Sequence, residues 1–137
     1  MKISEIMTRN VQTLTPDSSL REAASLMGRI DSGALLVNDG DRLVGMVTDR
    51  DITVRGVAAG LDAEAPVREV MSSEIRYCFE DEDVQHVAEN MAQIQLRRLP
   101  VLNREKRLVG VVSLGNIAAC RSERASATVL QGVARAH

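Results

Sequence analysis

The chain is written twice. Ile3-Ser4-Glu5-Ile6-Met7-Thr8 returns as Val67-Arg68-Glu69-Val70-Met71-Ser72, 64 positions further on. Arg42-Leu43-Val44-Gly45-Met46-Val47-Thr48 returns as Arg107-Leu108-Val109-Gly110-Val111-Val112-Ser113, 65 positions further on. Between these anchors Asp17 matches Asp81, Ala24 matches Ala88, Met27 matches Met91 and Ile30 matches Ile94. One residue has been added along the way. It is expected after Ile94, where a helix ends and length changes cheaply. Half a chain of this size buries too little apolar surface to stand alone, so two halves should pack together and form clefts about a pseudo-twofold axis.

The elements recur in the same order. A short helical lead-in (Ile3 to Met7; Val67 to Met71) precedes a short strand, Val11 to Leu14 or Ile75 to Cys78. In the first copy Pro16-Asp17-Ser18-Ser19 starts a helix whose apolar stripe is Leu20, Ala23, Ala24 and Met27. In the second, Glu80-Asp81-Glu82-Asp83 places negative charge at the favourable end of a helix striped by Val84, Val87, Ala88 and Met91. Two strands follow. They are Ala34 to Val37 and Leu43 to Val47 around Asn38-Asp39-Gly40-Asp41, then Leu99 to Leu102 and Leu108 to Val112 around Asn103-Arg104-Glu105-Lys106. A closing helix begins near Asp49 and near Leu114. Gly56 and Gly60 end the first, and Ala63-Glu64-Ala65-Pro66 joins the halves. The fold class is α/β in the α+β sense, with repeats at 1–60 and 61–121. Val129, Leu130 and Val133 suggest a C-terminal helix over 122–137, packed on this chain or on a partner.

Composition removes several function classes. The chain has 137 residues, and its 17 Lys and Arg against 19 Asp and Glu leave a net charge of −2, without the basic surface that duplex binding needs. Tyr77 and Phe79 are its only aromatic residues, too few for a single-strand stacking platform. No apolar run reaches the ~20 residues of a membrane span and no secretory signal opens the chain, so a cytoplasmic protein is expected. Cys78 stands where Leu14 stands in the first copy and reads as a small core hydrophobe. With Cys120, His86 and His137 it has no zinc-ligand spacing, so no metal is expected. Two histidines, one of them terminal, cannot assemble a nucleophilic triad, and His86 reads as structural on its helix.

The segment that carries chemistry is Leu43-Val44-Gly45-Met46-Val47-Thr48-Asp49-Arg50-Asp51-Ile52. A buried strand ends in a hydroxyl, and a carboxylate follows three residues later in the first turn of a helix. Free backbone N–H groups there would suit an anion such as phosphate. Asp51 could accept the paired hydroxyls of a ribose, and Arg50 adds charge-assisted donors. The same Thr-x-x-Asp spacing is also close to a capping box, in which Thr48 and Asp51 satisfy backbone donors. Both roles remain open, since a cap leaves carboxylate lone pairs over.

The doubled pattern, with Gly-h-h-Thr-x-x-Asp closing the first copy, resembles the cystathionine-β-synthase (CBS) domain family, whose members pair as a Bateman module. The resemblance runs from Ile3 to Cys120. It implies a βαββα core in each copy, two clefts, and adenosyl ligands such as AMP, ADP, ATP or S-adenosylmethionine, with no cofactor required. It implies one cleft where Thr48, Arg50 and Asp51 face Ser73, Ile75, Arg97, Arg98 and Leu99. There Asp51 would hold the ribose, Thr48 a phosphate or ribose oxygen, Ile75 and Leu99 the adenine, and Arg97 or Arg98 the phosphate. The other cleft would set Ser113 and Asn116 against Asn10, Val11, Gly33 and Ala34. It brings no cation and no charged ribose acceptor, so it should bind weakly or stay empty.

Three function classes follow. A free-standing pair would be a regulatory or energy-sensing module that signals by changing conformation or dimer contacts. The alternative is a ligand-independent, dimerising interaction scaffold with vestigial clefts and an unknown protein target. Homodimerisation is implied by the family in either case, and catalysis is the least supported class.

Overall fold

The computed structural model describes residues 1–120; the helix expected over 122–137 lies outside them. The described chain forms two compact units. One gathers Gln12–Ile75, and the other joins Met1–Val11 to residues from Arg76 onward.

In the Gln12–Ile75 unit, β1 (Thr13–Leu14) leads to α1 (Leu20–Ile30), then to β2 (Ala34–Asp39) and β3 (Arg42–Thr48). The sheet order is β1-β2-β3, with β1 parallel to β2 and β2 antiparallel to β3. Ser19 caps α1 by accepting the Glu22 N–H at 3.0 Å. Asp31 ends it in the left-handed region at φ 53°. The buried stripe is Leu20, Ala23, Leu26 and Met27. Ala24, expected in that stripe, is exposed; Leu26 lies on the same face as Ala23 and offers more apolar surface. The hairpin turns at Gly40-Asp41, with Gly40 at φ +68°, so the expected turn residues Asn38 and Asp39 belong to β2. Asp51–Val57 then forms a π-helix, wider than the α-helix that the sequence suggests. The Thr53 hydroxyl donates to the Asp49 carbonyl at 3.0 Å, occupying an acceptor that an α-helical N–H would use.

The second unit repeats this plan. Its elements are β4 (Cys78–Phe79), α2 (Val84–Ile94), β5 (Arg98–Leu102), β6 (Leu108–Ser113) and α3 (Leu114–Ala119). Asp83 caps α2 and Gln95 ends it at φ 58°, the counterpart of Asp31. Val84, Val87, Ala88 and Met91 are buried, as their spacing predicts.

Strand register moves the extra residue. Thr13 and Leu14 pair with Leu36 and Val37, while Cys78 and Phe79 pair with Val101 and Leu102. Ala34 faces Thr48, and Arg98 faces Ser113. The shift of 64 therefore holds through β2 and β5, and the insertion lies in the hairpin turn rather than after Ile94. The true counterpart of Ala34 is Arg98, and that of Leu35 is Leu99. A one-residue slip sends every strand side chain to the opposite face, which decides where Leu99 points.

Each unit is completed by the lead-in segment of the other sequence repeat. In the first, the α1 amide of Leu20 donates to Ala65, Val67 donates to Ser18, and Ser72 exchanges two 2.9 Å hydrogen bonds with Met46 of β3. In the second, Val84 donates to Met1, Ile3 donates to Glu82, and Thr8 exchanges bonds of 2.8 and 2.9 Å with Val111 of β6. Val67 and Val70 are buried in the first core, Ile3 and Met7 in the second. The compact units are thus cut differently from the sequence repeats 1–60 and 61–121, because each lead-in both accepts from a helix's first amide and bridges a hairpin strand.

The motif glycines permit that contact. A Cβ on Gly110 would lie 2.7 Å from the Thr8 carbonyl oxygen, and one on Gly45 would lie 2.5 Å from Met71 Sδ and 3.2 Å from the Ser72 oxygen. A thioether end can swing aside, whereas a paired backbone carbonyl cannot. Gly110→Ala should therefore cost about 3 kcal/mol and Gly45→Ala about 1 kcal/mol in urea unfolding, since overpacking costs depend on what must move.

Cys78 sits 3% exposed in the second core, as its match to Leu14 suggests. Burial pushes its thiol from 9.0 up to about 12, and the Glu82 carboxylate adds in the same direction. Folding favours the protonated form. That contribution is complete below pH 9, where the unfolded thiol also keeps its proton, and is lost as the pH rises toward 12. Urea midpoints measured from pH 8 to 10.5 should fall more steeply for the native chain than for Cys78→Val.

Candidate functional site

The end of β3 carries a complete capping box. The Thr48 N–H donates to Asp51 Oδ2 at 2.9 Å, and the Asp51 N–H donates to Thr48 Oγ1 at 3.1 Å. Both alternatives raised by the spacing bear on these two residues, and the cap is formed. It leaves two groups for other use. Thr48 Oγ1 accepts from Asp51 and retains its proton to donate. Asp51 Oδ1 has the Arg55 guanidinium at 3.9 Å, an ion-pair distance too long for a hydrogen bond. The Asp51 side chain is 20% exposed.

The free N–H groups expected here are not free. Besides the two in the cap, the Arg50 N–H donates to Asp49 Oδ1 at 2.8 Å, and the Asp49 N–H donates to the Gly33 carbonyl at 2.9 Å. The chain's own oxygens fill the places an anion would take. Arg50 itself is exposed.

The second unit builds the same device without the charge. Ser113 N–H and Oγ both donate to Asn116 Oδ1 at 2.8 Å, and the Asn116 N–H returns to Ser113 Oγ at 3.1 Å. Asn116 Nδ2 donates to Thr8 Oγ1 at 3.3 Å. An amide therefore serves this cap as well as a carboxylate does.

Of the residues implied for the first cleft, Thr48, Arg50, Asp51, Ser73 and Ile75 belong to the Gln12–Ile75 unit, while Arg97, Arg98 and Leu99 belong to the other. Ser73 is exposed and Ile75 half-buried, both just past the Met46–Ser72 bridge. Arg97 and Arg98 are exposed, but Leu99 is 2% exposed within the core formed with Val101, Val112 and Met91. Its side chain is therefore committed to the core and cannot bracket an adenine. The resemblance named it as a residue of the middle hairpin strand, whose register the sequence does not fix.

Of the second set, Gly33 and Ala34 lie beside Asp49 and Thr48 in the first unit. Asn10, Val11, Ser113 and Asn116 belong to the second, where Arg97 accepts from Leu114 N–H and Arg98 pairs with Ser113. Within this unit, Arg97 and Arg98 therefore adjoin the Asn116 strand end through their backbone.

Among the described residues no group of three or more His, Cys, Asp or Glu could hold a metal, and no helix is long and apolar enough to cross a membrane. His86 is exposed beside Asn90.

Comparison with known proteins agrees with the doubled architecture. The CBS domain profile matches residues 3–55 and again 67–123. The chain belongs to the CBS domain family. It is a tandem CBS pair, and its mixed α/β fold is that of solved CBS pairs. It is 40% identical over 125 residues to the CBS domain-containing protein YhcV of Bacillus subtilis, covering 91% of this chain and 89% of YhcV. The crystal structure of Hypoxic Response Protein I with two coordinated zinc ions superposes with a TM-score of 0.75 at 38% identity, covering 86% of this chain and 97% of that one. The structure of CBSX2 in complex with AMP gives a TM-score of 0.75 at 22% identity, covering 85% and 93%, a likeness of fold.

The two caps separate the structural and ligand roles of Asp51. Asp51→Ala removes the acceptor of the Thr48 N–H and should lower stability by about 1 kcal/mol in urea unfolding. Asp51→Asn, which copies Asn116, should stay within about 0.5 kcal/mol of the native chain, as conservative surface changes do.

Proposed function

We propose that this CBS pair is a regulatory module that binds an adenosyl ligand, with Asp51 and Thr48 holding its ribose. The observation that carries this reading is the spare Asp51 oxygen. It belongs to a side chain that is 20% exposed and held by a cap that uses the other oxygen. A fixed acceptor beside a hydroxyl with a proton to give suits vicinal hydroxyls, because no side-chain freedom is lost on binding. Gly33 and Ala34 border the same strand end, and neither has a bulky side chain to obstruct it. AMP in CBSX2 supports the choice of ligand class, since that protein shares the fold. The output would be a shift in conformation or dimer contacts, limited by the ligand's differential affinity for the two states.

A second reading has its own observation. Both caps are fully satisfied without any ligand, as a ligand-independent interaction scaffold would require.

Calorimetric titration and thermal unfolding with AMP, ADP, ATP and S-adenosylmethionine distinguish them. A ligand at 100 times its dissociation constant should stabilise by about 2.7 kcal/mol. Asp51→Asn should weaken it at least on the order of tenfold, the loss of one charge-assisted pair, with the fold intact. Equal affinity in the variant would overturn the assignment of Asp51, and no binding by any of the four would favour the scaffold.

A further inference from the structure

We propose that Met71 is an oxidation site, at which hydrogen peroxide loosens the segment that crosses β3. The Gln12–Ile75 unit thereby responds to oxidant, while the corresponding crossing of β6 is protected.

The fold sorts the methionines by their access to solvent. Met27 and Met91 lie in the two cores, 8% and 0% exposed. Met7 and Met71 are counterparts in the two lead-ins, and their thioethers do the same packing. Met7 Sδ lies 2.9 Å from where a Cβ on Gly110 would stand, and Met71 Sδ lies 2.5 Å from that place on Gly45. Their exposure differs. Met7 is 8% exposed and belongs to its core, whereas Met71 is half-buried at the margin of the other. Met71 thus combines a partly exposed side chain with a sulfur placed against the backbone of β3. Met46, also half-buried, exchanges backbone bonds with Ser72, the residue after Met71. Val111, its counterpart, has no sulfur to oxidise.

Oxidation would add an atom at the closest contact of the crossing. A sulfur lone pair attacks the peroxide O–O bond, an S–O bond forms, and the departing hydroxide takes a proton and leaves as water. Sulfur gives up two electrons and the peroxide accepts them. A polar sulfoxide then stands in place of an apolar thioether. The Ser72 carbonyl oxygen also borders the space above Gly45, and as an acceptor it can give the sulfoxide no hydrogen bond. The side chain is crowded there or swings outward to water, and either way its apolar contact over Gly45 is lost. The two 2.9 Å bonds between Met46 and Ser72 lose the packing beside them.

The test treats the full chain with dilute hydrogen peroxide and follows each methionine by peptide mass, with Met1, 53% exposed, as the accessible standard. Met71 should gain one oxygen at least on the order of tenfold faster than Met7 or Met91. Oxidation should lower the folded-to-unfolded ratio of the native chain in urea by about fivefold, the cost of a polar atom in an apolar contact. The amides of Met46 and Ser72 should exchange faster after oxidation, while those of Thr8 and Val111 keep their rates. Met71→Leu, of similar volume, should keep its urea midpoint through the same treatment, whereas Met46→Leu should still lose it. Methionine sulfoxide reductases for both epimers should restore the native midpoint. The rate comparison and the amide exchange use the native chain alone, so they stand whatever the variants do. Oxidation of Met71 no faster than that of Met7 would overturn the proposal. So would an unchanged midpoint once Met71 is oxidised, or an equal fall in Met71→Leu.

Discussion

A strand that another segment must cross at backbone distance is the constraint on which both units depend. Met71-Ser72 crosses β3 at Gly45, and Met7-Thr8 crosses β6 at Gly110. Each crossing brings an apolar pair into the core, Val67 with Val70 or Ile3 with Met7, and supplies acceptors for the first amides of a helix. Without it each hairpin would expose one face, and the first turns of α1 and α2 would keep unsatisfied donors. The glycine that reads from sequence as part of a ligand motif is thus first a packing residue. So is the Thr-x-x-Asp that follows it, which closes a cap. Function at this position has to be built from what the cap leaves over.

That ordering gives physical content to the difference between the repeats. Thr48 with Asp51 and Ser113 with Asn116 do the same structural work at nearly the same distances. Selection on folding alone would not distinguish a carboxylate from an amide here. The charge on Asp51 is therefore available to signify something else.

Much of the architecture was legible because it is local. The helix starts, the two hairpins and the buried stripe of α2 all follow from spacings of a few residues. One error came from an alignment across a gap that the sequence does not fix. Placing the extra residue after Ile94 rather than in the turn slipped β5 by one, and a slip of one exchanges the core face for the outer face. Leu99, which the family resemblance directed toward a ligand, packs in the core.

By itself the sequence determined that there are two copies, what elements each contains, and that a hydroxyl and a carboxylate close a strand in one of them. These are properties of short windows, set by side-chain periodicity and by which residues can cap a helix. Only the tertiary structure decided which lead-in completes which unit, since pairing Ser72 with Met46, or Thr8 with Val111, joins residues far apart in the chain that no local pattern can match. It alone decided that the helix after Thr48 widens to a π form, that the backbone donors there are already occupied, and that Asp49 lies against Gly33. Each of those outcomes depends on where oxygens sit in space, and spacing along the chain does not specify that.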